Sequence, residues 1–581
     1  MAMRQSFPTR GVLRRPQLRA IDLLVGAGIL ALLYGLLRLG STVTAPLAAN
    51  HATAKISTDP SHLPYYALRS LTRMFIALGL SVAFTFVYGT AAARLRRAEK
   101  ILVPVLDILQ SVPILGFLSI TLTAFIALFP HSILGLECAS IFAIFTSQAW
   151  NMTFSFYHSL ITQPRELDEA ARLMRLTKWQ RFWRLDVPSS MIGLVWNGMM
   201  SFGGGWFFLA ASELITVRGQ SHVLPGIGSY VGTASADGQL SRVLLAIGVM
   251  IVMVLGVNVL FWRPLVAWSE RFRIEQSEGA DQPRSITLDA LRRSRVPRLF
   301  GRALGPITTG LDRATRVFGV ADRPLTPDTN RRRVGDLAFG LVVGALVLFG
   351  ASKAIAFINH DVGLAEFGHA FGLGAITFSR VVVLLVFATL VWVPVGVKIG
   401  MSPRLARYAQ PIVQIFASFP ANFLFPFIVA FLVATHIGLN LGGIVLMAIG
   451  AQWYILFNTI AGAISIPSDL REAMDNFGVR GWQRWRRLII PGIFPAYVTG
   501  GITAAGGAWN ASIVAEFVAY HHHVLTATGL GAYIAQATAS SAPNAFAKVL
   551  TGIVVMSIFV VGVNRLFWRR LYRLAETRYS L

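Results

Sequence analysis

The chain has 581 residues, 54% of them hydrophobic and only 14% charged, with a mean hydropathy of +0.59. A soluble globular chain carries about 25% charged residues, so this composition excludes a water-soluble fold. The net charge of +25 argues for a nucleic-acid partner only until its distribution is seen: the arginines cluster in loops beside apolar runs, as they do in cytoplasmic loops of membrane proteins.

Arg14, Arg15 and Arg19 precede a first apolar run, Ile21 to Leu37. A signal peptide cleaved near Ala45 is the alternative to an uncleaved helix; the arginines on its inner side and the spans that follow favour the helix. A span needs about 20 apolar residues to cross about 30 Å of hydrocarbon. Such runs predict spans at 20–40, 70–93, 103–128, 132–153, 190–215 and 242–263, then 336–358, 378–399, 410–434, 440–462, 493–518 and 547–568. Helices are expected throughout, because an open sheet edge cannot be satisfied in lipid. The fold class is therefore all-α integral membrane, with about twelve transmembrane helices.

Alternate loops fall on opposite sides. The N-terminal segment 1–19, Arg94 to Lys100, Arg165 to Arg184, Arg263 to Arg333, Lys398 to Arg407, Arg471 to Arg487 and the tail from Arg569 hold nearly all the basic charge. The other set, 41–69, Phe129–His131, 217–241, 359–377, 435–439 and 519–546, holds Asp59, Asp237, Asp361 and Glu366. This asymmetry predicts cytoplasmic termini. The chain divides into a first domain at 20–268 (core 66–268), an Arg-rich cytoplasmic linker at 269–334 broken by Pro283, Pro297, Pro306 and Pro324, and a second domain at 335–581 (core 373–575). The linker's charge suits anionic headgroups. Cys138, the sole cysteine, sits in an apolar run and excludes an internal disulfide.

The two domains are copies. Residues 164–230 align with 467–533 at an offset of 303, pairing Pro164, Glu169, Trp179, Arg181, Pro188, Gly203, Trp206, Glu213 and Gly228 with Pro467, Glu472, Trp482, Arg484, Pro491, Gly506, Trp509, Glu516 and Gly531. An offset of 307 places Arg73, Ser111 and Pro113 on Arg380, Ser418 and Pro420, and GVNVLFWRPL from Gly256 matches GVNRLFWRRL from Gly562. Six spans in each copy give both the same orientation, so a pseudo-twofold axis along the membrane normal is expected.

Between the fourth and fifth spans of each copy lies a cytoplasmic loop, Glu166 to Pro188 and Asp469 to Pro491. Pro164 and Pro467 suit a helix start, and acids in the first turn suit its positive end. Leu167, Ala171 and Met174, like Leu470, Met474 and Phe477, recur at helical spacing on one face. Gly478 then suits a helix stop, where Arg175 would incur a backbone cost of order 1 kcal/mol in the left-handed region. The first loop is therefore expected to continue its helix or to end it differently, and to dock in its own way. By physics alone, an interfacial hairpin that only packs on lipid or on its own bundle fits as well.

These loops resemble the EAA signature of ATP-binding-cassette (ABC) importer permeases. Glu169, Ala170, Ala171, Leu185, Val187 and Pro188 fit it, as do Glu472, Ala473, Gly478, Leu488, Ile490 and Pro491; Arg175 departs in the first loop and Met474 in the second. The GGGWFFLAASELI and GGAWNASIVAEFV segments resemble the nitrate, sulfonate, taurine and bicarbonate group. The resemblance implies two permease domains in one chain and a translocation pathway for a small anion. It also implies two separate ABC ATPase subunits docked on the loops and an extracytoplasmic binding protein. No Lys follows a Gly, so a Walker A sequence is absent. A non-catalytic subunit with no cofactor is expected, ATP and Mg being held by the partner ATPases, in a bacterial inner membrane. Permeases for ferric iron or thiamine, a secondary transporter with parallel repeats, and an intramembrane enzyme are the alternatives.

Candidate pathway residues follow from their positions in the spans. Glu213 and Glu516 are intramembrane carboxylates, which face a bundle interior or a water-filled cavity; a gate element and a carboxylate satisfied by Arg or helix N–H groups are both open. Trp206 and Trp509 shape a cavity or pack at the seam. Ser111 with Pro113, and Ser418 with Pro420, break the third helix or merely kink it. His521, His522 and His523 lack helical metal-ligand spacing, and no metal site is expected.

Overall fold

The computed structural model describes residues 56–272 and 329–578, except 131, 218–219 and 521–522, together with 289, 306, 310 and 312–315 of the linker. The expected span at 20–40 lies outside these residues. The first half runs through α1 (Leu63–Arg94), α2 (Arg96–Ser111), α3 (Ile114–Leu128) and α4 (Leu134–Ile161). After the loop helix α5 (Arg165–Leu173) come α6 (Val187–Ser212), an antiparallel hairpin of β1 (Leu214–Val217) and β2 (Gln220–Val223), α7 (Ile227–Ala236) and α8 (Leu240–Val257). The second half opens with α9 (Thr329–Asp361) and repeats the series. It comprises α10 (Leu364–Gly400), α11 (Pro403–Ser418), α12 (Phe425–Ala434), α13 (Leu439–Ile464), α14 (Ser468–Asn476) and α15 (Ile490–Ala515). The hairpin of β3 (Phe517–Tyr520) and β4 (His523–Thr526), α16 (Leu530–Ala539) and α17 (Ala545–Val563) complete it.

Seven described helices are long and apolar enough to cross a bilayer, nine if each bent pair is one span. At the expected spans 132–153 and 190–215 stand α4 and α6, which are long enough at 28 and 26 residues. Buried Ser140, Gln148 and Ser201 make them less apolar.

Three expectations are corrected. The spans at 103–128 and 410–434 are each two helices, bent by 94° between α2 and α3 and by 84° between α11 and α12. Proline forces the residue before it out of the helical region: Val112 has ψ 126° and Phe419 ψ 132°. These are breaks, not kinks. The outer loop expected at 359–377 is helical from Leu364, because Gly363 takes a left-handed φ of 83° and turns the chain within two residues. Finally, the outer loops at 217–241 and 519–546 carry the hairpins and α7 or α16. Their strands are four residues long, and β1 and β3 start where α6 and α15 end.

The broken helices join the halves. Ile114, Leu115 and Leu118 of α3 belong to the apolar core of the second half, and α3 packs on α15 and α17. Reciprocally, Phe423, just past the second break, belongs to the core of the first half, and α11 packs on α6 and α8. The Ile114 N–H, left without a helical partner by the break, donates to Asn510 Oδ1 of the opposite half at 2.8 Å. At the other seam Gly203 meets Ser418 so closely that an added Cβ would lie 3.2 Å from Ser418 Cβ. At the outer end β1 packs on α16 and β3 on α7.

A disulfide needs Cβ atoms about 3.5–4.5 Å apart, a range this seam reaches once the two helices give by a few tenths of an ångström from 3.2 Å. In a Cys138→Ala background, Gly203→Cys with Ser418→Cys should therefore cross-link under mild oxidation and lose maleimide labelling, which dithiothreitol restores. Two thiols that stay labelled would contradict this seam.

Candidate functional site

The two loop hairpins are built alike. Leu176 N–H donates to Ala171 O at 3.2 Å and Arg175 N–H to Arg172 O at 2.9 Å; Val479 to Met474 O at 2.9 Å and Gly478 to Asp475 O at 3.1 Å repeat the turn. Arg175 takes φ 48° where Gly478 takes 65°. The expectation that Arg175 continues its helix or ends it differently is thus corrected: the turn's hydrogen bonds and the tertiary packing of the hairpin offset its backbone cost. The apolar stripe does not lie on one docking face either. Ala171 is buried while Leu173 and Met174 are 86% and 73% exposed, and in the second loop Met474 is half-buried while Phe477 is 83% exposed. The hairpin needs its stripe to pack on its own bundle, which leaves the tip apolar and open. Glu169, Ala170 and Glu472 are exposed, whereas Ala473, Pro188 and Pro491 are half-buried.

The same arginine closes both hairpins onto acids one helical turn apart. Arg181 pairs with Asp168; its equivalent Arg484 pairs with Asp475, the position of Arg172, at 2.5 Å. Burial raises the Asp168 carboxyl, but Arg181 and Arg172 outweigh it and hold it below the ordinary carboxylate range. Arg184 also reaches Asp312 of the linker at 2.8 Å.

Glu213 and Glu516, at the ends of α6 and α15, are fully buried. Glu213 accepts from Arg73 Nη1 at 2.7 Å, Ser70 Oγ at 2.6 Å and Gly228 N–H at 2.7 Å. Glu516 accepts from Arg380 Nη1 at 2.7 Å, Thr377 Oγ1 at 2.9 Å and Gly531 N–H at 2.8 Å. Both carboxylates are satisfied by an arginine and a backbone N–H within their own half. Gly226 and Gly529 are required here, since a Cβ on either would collide with the carboxylate. Sequence reasoning noticed Arg73 and Arg380 only as repeat markers and missed Glu137. This buried carboxylate binds Arg73 bidentately at 2.6 and 2.7 Å and Arg69 at 2.5 Å. In the second half, Asn440 stands for Glu137 and Ile376 for Arg69, and Arg380 donates to Asn440 Oδ1 at 2.9 Å. Two charges left together, so each cluster stays neutral.

Trp206 and Trp509 are both buried. Trp509 stacks on Phe378 with ring centroids 6.4 Å apart, while Trp206 meets Phe202 edge to face at 5.6 Å and lines a cleft at the seam with Ser418. Pro113 and Pro420 stand at the breaks, and Ser111 and Ser418 end the helices before them. His521 and His522 lie outside the described residues, and among the described residues no three His, Cys, Asp or Glu side chains are grouped to hold a metal ion.

Two equivalent helical halves, intercalated through broken helices and each presenting an exposed loop hairpin, define a duplicated multi-pass membrane permease. The chain belongs to the family of binding-protein-dependent transport system inner membrane components, whose model matches it twice, over residues 76–267 and 392–579. Among its relatives, the glycine betaine/proline betaine permease ProW of Escherichia coli is 27% identical over 163 residues, 28% of this chain and 45% of ProW. The nitrate import permease NrtB of Synechococcus elongatus is 26% identical over 208 residues, 35% of this chain and 67% of NrtB. The taurine permease TauC of Escherichia coli is 26% identical over 184 residues, 32% of this chain and 62% of TauC. The chain thus spans less than half the length of ProW.

Removing one partner of a buried ion pair costs about 3–5 kcal/mol. Arg73→Ala should therefore lower the melting temperature of the detergent-purified protein strongly, and Glu213→Ala likewise; a wild-type melting curve for either would contradict the cluster. In the loops, Arg175→Gly should stabilise by about 1 kcal/mol and Gly478→Ala destabilise by a similar amount, because only the left-handed backbone is at stake: nothing lies within 4 Å of an added Cβ at Gly478. Thermal denaturation of the two variants reads this.

Proposed function

We propose that the chain is the membrane subunit of an ABC importer and forms both halves of its pathway. One ATPase subunit docks on each loop hairpin, and a binding protein delivers substrate to the opposite face, where the hairpins β1–β2 and β3–β4 cross over the seam. The observation that carries the reading is the pair of loops: 303 residues apart, they share one turn geometry and one closing arginine, and both leave an apolar tip uncovered. An apolar side chain 83% exposed at a loop tip is what a protein partner's pocket covers. ATP hydrolysis belongs to the partners, and the arginine-rich loops and both termini face the cytoplasm.

The solute is a small molecule bearing an oxyanion. Nitrate is an oxyanion, taurine carries a sulfonate and the betaines a carboxylate, so the oxyanion is the group common to the solutes named for these relatives, while the cationic nitrogen of taurine and the betaines is absent from nitrate. Nitrate, an organosulfonate and bicarbonate are the candidates. Uptake of a metal cation or thiamine, with no uptake of an oxyanion-bearing solute, would overturn this assignment.

The coupling reading is tested in proteoliposomes holding the chain with its ATPases and binding protein. Glu169→Ala and Glu472→Ala should each lower ATP-driven uptake at least tenfold, with the chain still folded by its melting curve. Full uptake by either variant would remove the two-dock arrangement.

A further inference from the structure

One cleft at the seam belongs neither to the loop hairpins nor to the buried charge clusters. It lies midway along α6 and is shared between the halves. Phe202 and Trp206 of α6, Asn258 and Trp262 of the turn that extends α8, and Gln414 and Ser418 of α11 line it. Among the described residues no charged side chain lines it. Its polar groups are under-used. Trp262 is 4% exposed, and its indole N–H is buried with no acceptor. An indole N–H can only donate, so it waits for an acceptor. Gln414 Nε2 donates to Met199 Sδ at 3.0 Å, and a thioether is a weak acceptor.

The internal duplication supplies a control. At the second seam the equivalent positions hold Asn564, Trp568, Trp509 and Ser111, and the Trp568 indole N–H is likewise buried without an acceptor; the seams differ in that Asp107 stands at the position of Gln414 and Ala505 at that of Phe202. An ionised carboxylate only accepts hydrogen bonds, whereas an amide can donate one to an anion. The two seams descend from one sequence and differ in whether this position can donate to an anion.

We infer that the cleft at the Gln414 seam is a subsite for the oxyanion group of the transported solute, held by Trp262 Nε1, Gln414 and Ser418, and that the solute does not use the Asp107 seam. The inference rests on the import reading above and adds where the solute is recognised. Neutral donors with aromatic walls bind an oxyanion without trapping it, which a conducting site requires.

The test uses the same proteoliposomes, with nitrate and taurine as probes and ATP hydrolysis measured in parallel. Gln414→Asp should lower kcat/KM for uptake at least tenfold with ATP hydrolysis retained. Trp262→Phe, which removes the N–H and keeps the ring, should raise KM several-fold. Asp107→Asn should leave uptake within twofold of wild type. Wild-type uptake by Gln414→Asp, or equal losses in Gln414→Asp and Asp107→Asn, would overturn the inference alone, as would an unchanged KM in Trp262→Phe. A wild-type complex that hydrolyses ATP but imports neither probe would overturn the import reading and this inference together.

Discussion

Everything at the outer end of each half depends on one buried carboxylate. Glu213 and Glu516 sit where a long helix ends and a hairpin begins, with no exposure to solvent. A charge in such a place persists only if paired and hydrogen-bonded. The pairing reaches two directions at once: an arginine and a hydroxyl from α1 or α10, and a backbone N–H from the first turn of α7 or α16. Three elements, one of them at least 136 residues away in sequence, are thereby held at one point. The hairpin, closed at its base by Leu224 N–H on Glu213 O at 2.9 Å and Ala527 N–H on Glu516 O at 2.8 Å, inherits its position from that point.

The two halves show how one such arrangement drifts without failing. Losing Glu137 alone would take the carboxylate from Arg69 and weaken the hold on Arg73; in the other copy both charges are absent, and Asn440 accepts from Arg380 and from Thr528 N–H at 2.8 Å. The loop hairpins drift in the same way. An acid moves by one turn and the arginine follows, so the closure survives while the surface pattern of charges differs between the two docking arms.

Much of this was legible in the sequence. Hydropathy and arginine distribution located the helices, because bilayer thickness and backbone satisfaction leave few other options. The repeat exposed the duplication, and Gly478 the end of a loop helix. What escaped depends on tertiary context. Proline at 113 and 420 signals interruption, but whether a helix bends or breaks is settled by what receives the freed N–H, here Asn510 from the other half. Arg175 read locally disfavours the left-handed turn; the packed hairpin overrides it. The widened π turns at Phe182–Asp186, Asn258–Trp262, Trp485–Ile489 and Asn564–Trp568 leave no mark in hydropathy at all. Residues 364–377 read as loop because Glu366 and His369 interrupt an apolar run, although Tyr533 bonds that glutamate at 3.0 Å on a continuous helix.

The intercalation of the halves also governs how the chain is made. The Ile114 N–H and its Asn510 acceptor are separated by 396 residues. At about 5–20 residues per second, a ribosome needs roughly 20–80 seconds to supply the second after the first. Through that interval α3 is complete while the core that receives Ile114, Leu115 and Leu118 does not yet exist. A right-angle break with an unsatisfied N–H is a poor resident of bare lipid. The first half must therefore wait in a provisional arrangement or in the care of the insertion machinery. Fusion of the two halves then acts as a timing device: the partner that completes the fold always arrives on the same chain, at a fixed delay, and never has to be found by diffusion in the membrane.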